Sequence, residues 1–129
     1  MPVVIIAGSV KDESHVEKIG NCLNQHEVVW ESYYASAHKN PLEVLKIIQS
    51  YENKNNIVYI TIAGRSNALS GFVAANSNFP TLACPPFADK MDMMVNVHST
   101  LQMPSQVPAM TVLDPSNCAL AAARILNLK

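Results

Sequence analysis

Short continuous apolar runs alternate along this chain with longer stretches in which apolar residues recur every third or fourth position. Val3 to Ala7 is such a run, as expected of a strand covered on both faces. From Asp12 to Gln25, Val16, Ile19 and Leu23 fall at helical spacing. Val28 to Tyr34 is rich in β-branched and aromatic residues, which predicts a strand. Pro41 suits the first turn of a helix, on which Leu42, Leu45 and Ile48 would share a face. Ile57 to Ala63 reads as a buried strand, Ala68 to Asn76 as a helix of small residues, and Thr81 to Ala83 as a short strand stopped by Cys84-Pro85-Pro86. Asp92 to Leu101 predicts a helix ended by Pro104, and Met110 to Leu113 a last strand. Pro115 to Leu128 predicts a final helix with Cys118, Ala121, Ala122, Ile125 and Leu128 on one side.

Five strands alternating with helices imply an α/β fold, a parallel sheet with helices on both faces. The expected architecture is three-layered and flavodoxin-like, strand order 2-1-3-4-5, in one domain spanning residues 1–129. Ligands of such sheets bind beyond the carboxyl ends of the strands. Function is therefore expected in four loops: Gly8 to Glu13, Ala35 to Asn40, Gly64 to Ala68, and Cys84 to Phe87.

Composition narrows the classes. The 129 residues are 49% hydrophobic but only 15% charged, against roughly 25% in average soluble domains. Disorder is excluded, since it needs low hydrophobicity. No apolar run approaches a membrane span. Nine basic and ten acidic residues, net −1 and without a basic stripe, speak against nucleic acid. The shortage of charge suggests surface covered by other subunits. The N-terminal run is too short, and lacks the positive flank, for a signal peptide. Cys22, Cys84 and Cys118 are odd in number, and the four histidines pair with none of them at metal spacing. A cytoplasmic, reduced protein without a metal site is expected.

Each loop admits a bland and a chemical reading. Gly8-Ser9-Val10-Lys11-Asp12 places a glycine and a helix N-terminus where a phosphate would sit, although Asp12 or Ser14 can simply cap the helix. Ser36-Ala37-His38-Lys39 sets an acid–base group beside a cation; a loop histidine is also often only solvated. Gly64-Arg65-Ser66-Asn67 follows the most buried strand, so its polar groups are rigidly delivered; Ser66 or Asn67 can instead cap a helix, and Arg65 can make a structural ion pair. Cys84-Pro85-Pro86-Phe87 is a stiff apolar wall suited to a flat ring. The Met91, Met93, Met94 and Met103 cluster reads as core or interface packing.

Taken together, GSVKD, SAHK, ITIAGRSNALSGFVAAN, ACPP and STLQMPSQVP resemble the PurE family of purine biosynthesis, in the right order and over essentially the whole chain. That family has a mutase branch, which carries GGAAHLPG in the third loop, and a carboxylase branch, which carries GRSNxL. GRSNALSG, HVEKI at His15 to Ile19, and SAHK rather than SAHR resemble the carboxylase branch, class II phosphoribosylaminoimidazole carboxylase. The resemblance implies addition of CO2, as co-substrate, to C4 of aminoimidazole ribonucleotide without metal, biotin or other cofactor. It implies His38 as the catalytic residue. Ser9, Asp12, Ser36 and Lys39 would hold phosphate and ribose, Gly64, Arg65, Ser66 and Asn67 the ring and CO2 end, and Pro85 the wall of the base. It also implies a homo-octamer with sites where subunits meet.

The chain departs from the family at Lys11, in place of the usual second serine, at Gln106, in place of the glycine of MPSG, and over Phe87 to Asn96. Its end at Lys129 leaves out a usual terminal helix. The alternatives are the mutase, a degenerate nucleotide-binding member, and a flavin mononucleotide domain, the last opposed by the lack of an aromatic pair to sandwich a flavin.

Overall fold

The computed structural model describes residues 3–65 and 67–128. Five parallel strands, β1 (Val3–Ala7), β2 (Trp30–Tyr34), β3 (Val58–Ile62), β4 (Thr81–Ala83) and β5 (Ala109–Thr111), form one sheet in the order β2-β1-β3-β4-β5. The helices between them are α1 (Glu13–Gln25), α2 (Pro41–Tyr51), α3 (Leu69–Asn76), α4 (Lys90–Leu101) and α5 (Pro115–Leu126), with a single 3-10 turn at Val10–Asp12. The expected flavodoxin-like order is therefore present.

Alternating side chains of the central strands feed two cores. Val3, Ile5, Ala7, Val58, Ile60 and Ile62 pack against α1 and α5 through Val16, Ile19, Leu23, Cys118, Ala119 and Ala122. Val4, Ile6 and Tyr59 face the other way, against Val44, Ile47, Ile48, Leu69 and Val73 of α2 and α3. Every residue of β1 and β3 is buried. Each such Val or Ile contributes about 1.5–3 kcal/mol by leaving water, which is why these strands read so clearly as unbroken apolar runs.

The elements differ from expectation where burial is one-sided. Helix α2 turns Val44, Ile47, Ile48 and Tyr51 inward, while Leu42 is 80% exposed and Leu45 half-buried. The face is set by tertiary contact, and Leu42 in the first turn lies off it. Val28 and Val29 precede β2 instead of belonging to it, because Glu27 at φ 57° turns the chain out of α1. Strand β5 lies one residue earlier than expected and ends at Thr111, and Leu128 is exposed beyond α5.

Helix α4 inverts the usual pattern. Its buried residues are polar, Asn96 and Thr100. Met91, Met94, Val95 and Leu101 are exposed.

Candidate functional site

The carboxyl ends of β1, β2 and β3 deliver three of the four anticipated loops to one place. A cavity of about 180 Å³ is lined by Gly8, Ser9 and Asp12 from the first, Ser36, Ala37 and His38 from the second, and Gly64, Arg65 and Ala68 from the third. A wider cleft of about 810 Å³ adjoins it through Asp12, Gly64 and Arg65, and runs past Lys11 to Pro86, Phe87, Asp92 and Asn96. The fourth loop thus walls the cleft by Pro86 and Phe87, while Pro85 is buried behind them. Ser66 lies outside the described residues.

The hydroxyls at the floor are oriented by the backbone. Ser9 Oγ accepts from Lys11 N at 3.1 Å, capping the 3-10 turn, and Ser36 Oγ accepts from Lys39 N at 3.2 Å. A hydroxyl that accepts from the chain keeps its own proton for another acceptor, so both Ser9 and Ser36 are set to donate to an anion. Asp12 makes no side-chain capping bond to α1, and its carboxylate remains for a ligand's hydroxyls. Burial raises the Asp12 carboxyl above its ordinary value, and the nearby His15 partly offsets this. Lys39 follows His38 and is exposed, but it lines neither cavity.

The third loop is held from α4. Arg65 Nη2 pairs with Asp92 Oδ1 at 3.0 Å, and Asp92 Oδ2 also accepts from Ala88 N at 2.9 Å. The structural ion pair left open as the bland reading of Arg65 is thus present; Arg65 lines both cavities, and Asp92 only the wider cleft. Asn67 is buried: its Oδ1 accepts from Ser70 N at the start of α3 (3.1 Å), and its Nδ2 donates to Thr100 Oγ1 (3.0 Å). Its carboxamide is engaged on both sides, which fixes the loop and lets Gly64 and Arg65 face the cavity.

Sequence reading passed over Asp92 and Asn96. They stand four residues apart, hence on one face of α4, and both line the cleft. Asn96 Nδ2 donates to Pro86 O at 2.6 Å, tying the wall to the helix. The signal was present in the spacing of two polar residues within a methionine-rich stretch, but nothing local said that the methionines, and not these, would face outward. Among the described residues no group of three or more His, Cys, Asp or Glu is placed to hold a metal, and no helix is long and apolar enough to cross a membrane.

The AIR carboxylase family model matches residues 2–129. A phosphoribosylaminoimidazole carboxylase of Archaeoglobus fulgidus is 46% identical over 129 residues, covering 100% of this chain and 71% of that protein. The enzyme of the same name from Treponema denticola is 42% identical over 127 residues, 98% of this chain and 79% of that one. The crystal structure of Treponema denticola PurE superposes with a TM-score of 0.88 at 43% identity, covering 97% of this chain and 80% of that chain.

Proposed function

The chain belongs to the AIR carboxylase family, and from that premise we propose that the cavity beside His38 carries out the family's reaction. It is a phosphoribosylaminoimidazole carboxylase of purine biosynthesis, an enzyme of carbon–carbon bond chemistry. The reaction adds CO2 to C4 of aminoimidazole ribonucleotide and gives carboxyaminoimidazole ribonucleotide. The observation that carries the site assignment is the convergence of His38, Ser9, Ser36, Asp12 and Arg65 on one cavity at the sheet edge.

The substrate ring is enamine-like, so C4 is already nucleophilic and attacks CO2 without biotin, ATP or metal. The protein's first task is to hold ring and gas together, an entropic contribution. The Ser9 and Ser36 hydroxyls and Lys39 bind the phosphate, and Asp12 accepts from the ribose. Binding energy spent there orients the reacting centre. Addition leaves C4 tetrahedral, bearing both its hydrogen and the new carboxylate. His38 takes that proton and aromaticity returns; an imidazole is the side chain suited to reversible proton transfer near neutral pH. Arg65, anchored by Asp92, stabilises the new carboxylate by a charge-assisted hydrogen bond. Asn67, with both ends of its carboxamide engaged, serves by positioning the loop. Pro86 and Phe87 form the apolar wall of the base, with Pro85 supporting them.

The enzyme works in the cytoplasm as a homo-octamer in this reading, which the exposed apolar face of α4 supports. A direct assay decides the substrate: turnover is expected with aminoimidazole ribonucleotide and CO2, with carbonic anhydrase present to equilibrate bicarbonate. Turnover only with the N5-carboxylated nucleotide would instead make the chain a mutase.

A further inference from the structure

Asn96 has only one end of its carboxamide in use. The residue is 3% exposed, yet it lines the wider cleft together with Gly64, Arg65 and Pro86. Its Nδ2 donates to Pro86 O at 2.6 Å, and that bond settles which end is which. Turned over, the carboxamide would set Oδ1 against the Pro86 carbonyl, two acceptors face to face. Oδ1 is therefore held where it is, buried, and among the described residues no donor reaches it. The nearby donors are spent elsewhere: Thr100 Oγ1 donates to the Asn96 carbonyl at 2.7 Å, and Asn67 Nδ2 donates to Thr100 Oγ1 at 3.0 Å. A buried acceptor without a donor is costly to the fold and calls for a partner.

Gly64 leaves the approach to that acceptor clear. A Cβ added to Gly64 would lie 3.7 Å from Asn96 Nδ2 and 3.9 Å from Oδ1. Apart from Gly64 and its chain neighbours, no other described heavy atom comes within 4 Å of that point. The bare α-carbon of Gly64 thus faces the carboxamide across open space, and both residues line the cleft.

We propose that Asn96 Oδ1 accepts a hydrogen bond from the exocyclic amine of the substrate and makes the site specific for an amino-substituted ring. The inference rests on the carboxylase reading, which supplies the nucleotide. In that reading the ribose hydroxyls fall to Asp12, and the amine is the one hydrogen-bond donor on the imidazole ring. The open acceptor stands beside Gly64, in the loop assigned to the ring and CO2. The same bond assists the chemistry. As C4 forms its bond to CO2, the amine lone pair moves into the ring, and one oxygen of CO2 takes up the negative charge. Both amine hydrogens stay on nitrogen but become more positive, so their bond to Oδ1 strengthens toward the transition state.

The test is calorimetric binding to the intact protein, with CO2 excluded, of two nucleotides: aminoimidazole ribonucleotide and imidazole ribonucleotide, which has hydrogen in place of the amine. The parent should bind the amino compound about 10-fold more tightly. Asn96→Ala removes the acceptor and should bind the two with nearly equal affinity. Gly64→Ala should do the same by filling the approach. Its added methyl sits at ordinary contact distance, so it keeps the fold and carries the comparison even if Asn96→Ala does not fold. A merely structural Asn96 would weaken both nucleotides alike and leave their ratio unchanged. Equal affinities in the parent, or the parental ratio in a folded alanine variant, overturn the proposal and leave the carboxylase reading intact. An unchanged kcat in Asn96→Ala overturns the part in the chemistry. A parent that binds neither nucleotide overturns the carboxylase reading, and this proposal with it.

Discussion

His38 carries the proton in the proposed reaction, and its place in a loop, exposed at the cavity, makes it separable from stability. His38→Asn is expected to fold with the parental circular dichroism and melting temperature while turnover falls about 10²- to 10⁴-fold. Carboxylation near the parental rate would refute the assignment. Gln106 is a different kind of residue. It adopts φ 66°, in the left-handed region where glycine is at home and a side chain is strained. Its departure from the glycine of MPSG was visible in the sequence; that the backbone keeps the conformation a glycine would favour was not. Gln106→Gly should therefore stabilise the protein by about 1 kcal/mol, read as a higher urea midpoint at unchanged slope. The residues of the site were legible because Ser9, Asp12, Ser36, His38, Gly64 and Arg65 sit in short loops directly after apolar runs. Asn67 was legible as a cap of the next helix, and its Oδ1 does accept from Ser70 N, but that its Nδ2 would be taken up by Thr100 on another helix was not.

Elements respond to contacts that no single segment contains. Gly20 lies within α1, where alanine would ordinarily stabilise by about 1 kcal/mol. A Cβ there, however, would meet Trp30 Cζ2 at 2.2 Å and two further ring atoms at 2.5 and 2.8 Å. Trp30 belongs to β2 and donates to Asn24 Oδ1 at 2.9 Å, so its ring is tied down. Overpacking of this kind costs about 1–3 kcal/mol. Gly20→Ala should thus destabilise despite the helix preference, and a higher urea midpoint would show that the ring yields. Helix ends set a pH dependence. The Ser116 hydroxyl and then the Asn117 N–H hold the Asp114 carboxyl below its ordinary 3.8 at the start of α5. On α4 the Ala88 N–H and then Arg65 do the same for Asp92. Both folded-state values lie below the unfolded one. Their stabilisation is therefore complete above 3.8 and is lost as pH falls through the folded-state values. Urea midpoints measured at neutral pH and at falling acid pH should show Asp114→Ala less stable than the parent, with the gap narrowing below 3.8. A gap independent of pH would mean that the ionised carboxylate contributes nothing.

At the scale of the molecule the low charge of the chain acquires a location. Only 15% of residues are charged, and α4 presents Met91, Met94, Val95 and Leu101 outward. Such a face is characteristic of surface that meets another protein. Light scattering should give a mass several times 14.1 kDa, and a stable monomer would leave that face unaccounted for. The sheet order, the strands β1 and β3 and the inward face of α1 could be read directly from the chain, because a strand buried on both sides must be apolar throughout and a helix buried on one side must repeat at 3.6. The loops that carry the chemistry followed from the order, since parallel strands place their carboxyl ends at one edge. Which face of α2 turned inward, which residues of α4 did so, and how Cys84 came to lie against His15 and Leu113 were decided in three dimensions. These depend on what packs across the gap between elements distant in the chain. Periodicity reports that a segment has a face, but only its neighbours determine which face is buried.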